Sequence, residues 1–224
     1  MSEGKEIRQG VRIAELPLVA GHPAIDLVNT ITPRLPVPDE DHLSTPGDLL
    51  IWARRVGIAV EEELAAVAGA WGTSPGAAAR ALSVVKEIRG SLETVLSWRL
   101  GFGTNIAEVE QTLDFLARQW ASAAGRTTLV VGGDNGETAQ LMTGTVPTLL
   151  VQDRVAMAVV DLLCHIDLSH LGMCDVEHGG CGWLFIDHSR NKTRKWCTMD
   201  DCGAQAKARR LTERRRRRAA AARS

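Results

Sequence analysis

Apolar residues recur every three to four positions through most of the first 165 residues, the period of helices with one buried face. The first such stretch lies at 23–31, where Ala24, Leu27 and Val28 share a face and Pro23 takes a first-turn position. Its polar members are His22, Asp26, Asn29 and Thr30; Asp26 and Asn29 are expected to face outward or to cap neighbouring backbone, with a ligand or structural polar motif of the four as the alternative. Residues 32–40, TPRLPVPDE, are too rich in proline for a helix. A helix should follow, capped by Ser44 or Thr45, with Pro46 in its first turn and Leu49, Leu50, Trp52 and Ala53 on its apolar side. Arg54 and Arg55 suit its cationic end, and Gly57 stops it. Residues 61–70 read as a short Ala-rich helix whose opening Glu61, Glu62 and Glu63 complement the helix dipole.

The longest helix is expected over 77–100, on the stripe Leu82, Val85, Ile88, Leu92, Val95 and Leu96. Another is expected over 104–121, on Ile106, Val109, Leu113, Leu116 and Trp120. Trp52, Trp71, Trp98 and Trp120 read as core or interface anchors. The pattern then changes: two extended runs flank Asp134, Asn135 and Gly136, the signature of a β-hairpin. Gly132 to Gly136 lacks the Lys-Ser/Thr ending of a phosphate-binding loop, so a turn is the better reading. Helical periodicity resumes after Pro147, with Cys164 as a small core residue and His165 and His170 as polar ends. The fold class is mainly α with a small β-hairpin.

Residues 174–202 break this pattern with four of the chain's five cysteines, in two close pairs, Cys174 with Cys181 and Cys197 with Cys202. Glycines at 179, 180, 182 and 203 provide the turns that bring each pair together. Four thiolates near tetrahedral geometry suit a structural Zn²⁺ site, and residues 182–196 leave room for a β-hairpin carrying one pair to the other. Disulfides are the alternative. The polar opening MSEGKEIRQG has no apolar signal core, which points to a cytoplasmic chain, where clustered cysteines more often hold metal. His178 and His188 lie close enough in sequence to replace a cysteine, although an all-cysteine site is simpler.

The run CGWLFIDHSRNKTRKWCTMDDCG resembles the CGNR zinc finger, through Cys181, Gly182, Leu184, Phe185, Asp187, Ser189, Arg190, Asn191, Arg194, Trp196, Cys197, Met199, Cys202 and Gly203. GHPAIDLVNT, with His22, Asp26, Asn29 and Thr30, resembles the opening of the ABATE domain, the usual N-terminal partner of that finger. The resemblance implies a bacterial regulator of transcription, stress-linked by the family's name, with a helical ABATE-like domain over 1–170 as sensor or dimerisation body. It implies a treble-clef-like zinc finger over 171–212, followed by a basic tail over 213–224. Two departures stand out. Ala204 and Gln205 occupy the Asn and Arg positions of the naming motif, and the first cysteine pair has two extra residues. A nucleic-acid contact made by the missing Arg would be lost, while metal binding would survive.

Charge sharpens the picture. The net charge of −1 hides thirteen Lys and Arg against three Asp and Glu from residue 189 onward, which leaves −11 on residues 1–188. An acidic body with a basic end implies a polyanionic partner. Arg190, Asn191, Lys192, Arg194 and Lys195, then Lys207, Arg209 and Arg210, are the candidate nucleic-acid contacts, followed by the arginine run 214–218. The chain shows no nucleophile elbow, HExxH, Rossmann or Walker motif, and a His-metal nuclease would need more ligands than His188 offers, so no enzyme is expected. No apolar run is long enough for a membrane span. The expected function is zinc-dependent binding of double-stranded DNA by a transcriptional regulator, with a small-molecule effector and a homodimer as further partners. Zinc-stabilised protein interaction, redox sensing and RNA binding are the alternatives.

Overall fold

A computed structural model describes residues 12–32, 40–103, 105–132 and 138–221. Seven α-helices and three two-stranded antiparallel sheets form the main elements of the described residues. The helices are α1 (Pro23–Val28), α2 (Pro46–Arg55), α3 (Glu61–Thr73), α4 (Pro75–Arg99), α5 (Ile106–Ala124), α6 (Leu150–His165) and α7 (Ala204–Ala221). The strand pairs are β1 (Ile31–Thr32) with β2 (Glu40–Asp41), β3 (Thr128–Val131) with β4 (Ala139–Met142), and β5 (Leu171–Met173) with β6 (Leu184–Ile186). The mainly helical body and the small C-terminal finger are thus both present as expected.

Local chemistry sets the helix starts. His22 Nδ1 accepts the Ala24 N–H at 3.2 Å and Pro23 opens α1. Thr45, of the two candidates, caps α2 in a reciprocal box: its hydroxyl accepts the Asp48 N–H at 3.2 Å, and Asp48 accepts the Thr45 N–H at 2.7 Å. Asn105 caps α5 by accepting from the Ala107 N–H at 3.0 Å. The long helix starts at Pro75, two residues ahead of expectation, because proline at the first helical position needs no N–H partner.

Val85, Ile88, Leu92 and Leu96 on α4 are fully buried, and α1, α2, α3, α5 and α6 pack around that face. Charged side chains close the seams. Arg89 of α4, itself buried, grips both oxygens of Asp41 at 2.7 and 2.8 Å and donates to the Thr30 hydroxyl at 2.9 Å. Arg154 of α6 clamps the Glu63 carboxylate of α3, and Arg126 holds the buried Asp153. Burial pushes the Asp41 carboxyl up, but Arg89 and Lys86 outweigh it and hold it at about 2.

Several expectations change. Cys164 is exposed, not core, because it lies on the outer face of α6. Asp26 and Asn29 do not face outward; both are buried and take the other expected role, bonding backbone, although Asn29 finds that backbone far away in the chain. On α5, Val109 and Leu116 are buried but Ile106, Leu113 and Trp120 are not covered, and Trp98 is also open. β3 and β4, the two extended runs, pair antiparallel with Leu129 opposite Leu141. The turn at Asp134, Asn135 and Gly136 lies outside the described residues, as do Thr104, most of the proline-rich 32–40 segment and the first eleven residues.

Candidate metal centre and basic surface

The four cysteines come together. Their sulfurs all lie within 4.8 Å of one another and all four residues are buried, with Cys181 to Cys197 at 3.5 Å and Cys197 to Cys202 at 3.6 Å. A tetrahedral zinc with Zn–S bonds of about 2.3 Å requires sulfurs roughly 3.8 Å apart, so this all-sulfur donor set has the size and chemistry of a structural zinc site. With sulfurs this close, mutual hydrogen bonding lowers the Cys174 thiol well below the usual range and raises Cys181. All five cysteines are unlinked. His178 sits 2.8 Å from Asp175 and is exposed, and the His188 ring lies against Gly21, so neither joins the sulfur cluster.

The hairpin at this centre is not where the cysteine spacing placed it. β5 ends just before Cys174 and β6 begins after Cys181, so the hairpin brackets the first pair. The six residues between those two cysteines form its tight tip. Gly180 donates to the Asp175 carbonyl at 2.7 Å, and a Cβ on Gly180 would sit 2.6 Å from the Cys174 sulfur, so only glycine fits there. The two extra residues are absorbed in this tip. The second pair straddles the start of a single wide turn over Met199–Gly203: Cys197 ends the irregular loop before it, Cys202 lies within it, and α7 departs from its end.

Asp187, the residue after β6, organises that irregular loop. Its carboxylate accepts the N–H groups of Ser189 at 2.8 Å and Arg194 at 2.9 Å, and its carbonyl accepts Lys192 Nζ at 2.7 Å. These bonds, led by the Ser189 hydroxyl, hold its carboxyl at about 2. Lys192 takes a left-handed φ of 51°, a strained conformation that the surrounding bonds maintain.

The candidate nucleic-acid residues divide. Arg190, Asn191, Lys192 and Lys195 are exposed on this loop, and Lys207 and Arg210 are exposed on α7. Arg194, expected to face a phosphate, turns inward. It stacks 4.1 Å from the Phe185 ring centre and donates to the carbonyls of Trp196, Val19 and Cys197. Arg209 likewise lies against the knuckle, donating to the Gly179 carbonyl at 3.3 Å. Gln205, in the naming motif's Arg position, donates to Asp201 at 3.1 Å. Past its first two turns α7 carries only exposed residues, including all five arginines 214–218, and it runs without a break across residue 213.

The polar N-terminal motif meets the finger directly. Asn29 donates to the Leu184 carbonyl at 2.8 Å and accepts the Leu184 N–H at 2.9 Å, so one side-chain amide completes both backbone bonds of a β6 residue. Ile186 N–H donates to the Ala20 carbonyl at 2.8 Å, and Asp26 accepts from Val19 and Ala20 at 3.1 and 3.2 Å. Burial raises the Asp26 carboxyl to about 6 against the pull of those two N–H groups and Arg55. Thr30 is held by Arg89, and His22 by its cap and, at 3.4 Å, by Asp161. Trp183, which the sequence pattern did not single out, is fully buried and donates to the Ile31 carbonyl at 3.0 Å. Its position beside the knuckle glycine was the one available signal.

Comparison with known families agrees with this division. Residues 21–166 match the ABATE family, described as "Putative stress-induced transcription regulator", and residues 170–215 match the CGNR zinc finger. The chain belongs to the ABATE family. Its two matched segments meet at the Asn29–Leu184 contact, so the family's opening motif is the seat on which the finger rests. No curated protein matches the chain.

Proposed function

We propose that this ABATE-family chain is a zinc-dependent, DNA-binding transcriptional regulator of the cytoplasm, with no catalytic role, in which the helical body serves as a sensor or dimerisation unit. The observation that carries the reading is α7. It leaves the four-cysteine centre, packs through its first turns, and then extends an arginine-rich segment whose residues 211–221 are all exposed. Short helices without tertiary contacts are marginal in water, so that segment gains stability from a polyanion lying along it. A helix of this width enters the major groove of B-DNA, where arginine meets guanine edges and phosphates.

Cys174, Cys181, Cys197 and Cys202 would hold the zinc, which supplies a fixed crosslink between the β5–β6 tip and the start of α7. Arg190, Asn191, Lys192, Lys195, Lys207 and Arg210 would contact the nucleic acid, while Arg194 and Arg209 would keep the two basic elements in place. The absence of exposed aromatic platforms near these cations among the described residues favours duplex DNA over single strands.

The test is binding of the full chain to a double-stranded DNA pool over a salt series, with and without a zinc chelator. Zinc-dependent enrichment of one sequence, with log K falling by about 0.9 per phosphate contact against log salt, is expected. Binding that survives chelation and disappears when 214–218 is removed would make the tail a generic polyanion arm and overturn the reading. Preference for RNA duplex or single strands would replace DNA as the partner.

A further inference from the structure

We propose that Leu211 of α7 reads thymine, packing on the C5-methyl group at the floor of the major groove while the cations beside it hold phosphates on the groove walls. This inference rests on the DNA reading and names a base that α7 selects.

Burial divides α7 into two sides from its first turn. Gln205, Ala206 and Arg209 are buried or half-buried, and a cleft joins Arg209 and Glu213 to the cysteine-bearing tip at residues 176–179. Ala204, Lys207, Ala208 and Leu211 are exposed on the other side. At about 100° per residue, Ala204, Ala208 and Leu211 fall on one line of that open side, at i, i+4 and i+7. Arg215 comes next on the same line, and Lys207 and Arg214 run along its flank. Leu211 is 50% exposed, the one large apolar side chain of a helix otherwise made of alanine, polar and charged residues. Glu213, the one acid in α7, lies on the side of the tip, so the open side carries cations and no carboxylate.

A single leucine among cations selects its occupant by charge and by shape. A second copy of α7 would set like charges together with no acid to pair them. An anionic membrane takes a helix with several large apolar side chains, not one. Single-stranded nucleic acid is held by stacking on aromatic rings, and α7 has none. The major groove of duplex RNA is too deep and narrow for side chains to read, and uracil carries no methyl group. B-DNA meets both demands. It is a polyanion whose major groove admits an α-helix, and the thymine methyl is the apolar feature on the base edges there. Leucine is shorter than the lysine and arginines around it. Alanine at 204 and 208 lets the backbone come close enough for Leu211 to touch the groove floor, while the longer cations reach sideways to the phosphates.

The experiment uses the full zinc-loaded chain and a duplex that it enriches from a random pool, with each thymine replaced in turn by deoxyuridine. That replacement removes the methyl group and keeps the base pair. At one position the wild type should lose affinity about fourfold, the effect of one buried methyl. Leu211→Ala should bind the thymine and uracil duplexes equally, with an unchanged melting temperature, because alanine is a strong helix former. Lys207→Gln should weaken both duplexes alike, keep the fourfold preference and reduce the salt slope by about 0.9. A wild type that binds the duplex but is indifferent to every replacement, or a Leu211→Ala variant that keeps the preference, would overturn the thymine contact and leave the DNA reading standing. A wild type that enriches no duplex would overturn both.

Discussion

The side-chain amide of Asn29 binds both the N–H and the carbonyl of Leu184, 155 residues away, and so acts as a one-residue strand beside β6. Both bonds are buried. Asn29 is therefore one of the points at which the helical body grips the cysteine-rich finger, beside the Ile186–Ala20, Arg194–Val19 and Trp183–Ile31 bonds.

Asn29→Ala should leave two backbone groups of Leu184 unpaired, at a cost of about 2–5 kcal/mol. Chemical denaturation should show the loss, and amide exchange at Leu184 should accelerate before exchange in α4. A loss below about 1 kcal/mol would mean that water replaces the amide without penalty.

Asp26 gives a pH dependence of unusual sign. Its carboxyl is raised to about 6 by burial, so the folded state holds a proton that the unfolded chain has released above its ordinary value. Its stabilising contribution is complete below about pH 4 and is lost as pH rises through 6. Asp26→Asn keeps the accepting oxygen and removes the titration. The stability of the variant relative to wild type should therefore rise by up to about 3 kcal/mol between pH 4 and 7. Asp41, held at about 2 by Arg89 and Lys86, works in the other direction: its contribution is present above about pH 4 and fades as pH falls toward 2. A pH-independent difference between Asp26→Asn and wild type would refute the assignment.

The sulfur cluster predicts a thiol count. Cys164 is exposed and the other four cysteines are buried at the centre, so one thiol per native chain should react quickly with a thiol reagent. A zinc chelator should release one metal per chain and make all five thiols reactive. Because metal binding in such small units contributes on the order of 10 kcal/mol to folding, near-ultraviolet signals from Trp183 and Trp196 should collapse in parallel. Five reactive thiols before chelation would exclude a closed metal site.

Arg194 and Arg190 should separate in their effects. Arg194→Met loses three carbonyl acceptors and the stack on Phe185, and should cost about 2–4 kcal/mol of stability. Arg190→Gln should leave the melting temperature unchanged and reduce the salt slope of DNA binding by about 0.9. The opposite pattern would exchange their roles.

By itself the sequence determined the helices, the cap of α2 to within one residue, and the identity of the four-cysteine set. Those features depend on short-range rules: periodicity along α4, proline at the first turn of α1 and α2, and glycines beside Cys181 and Cys202. Asp187 and Arg194 were also visible as members of the finger motif, but not what they do. That Arg194 bonds backbone carbonyls instead of reaching solvent depends on Val19, 175 residues away. Only the tertiary structure decided that Asp26 and Asn29 are buried, that the hairpin brackets the first cysteine pair, and that Ile106, Leu113 and Trp120 stay open on α5. Helical periodicity marks a residue as apolar-faced without saying which face a neighbouring element will cover. A polar side chain likewise carries no record of whether its partner lies in the next turn or across the whole chain.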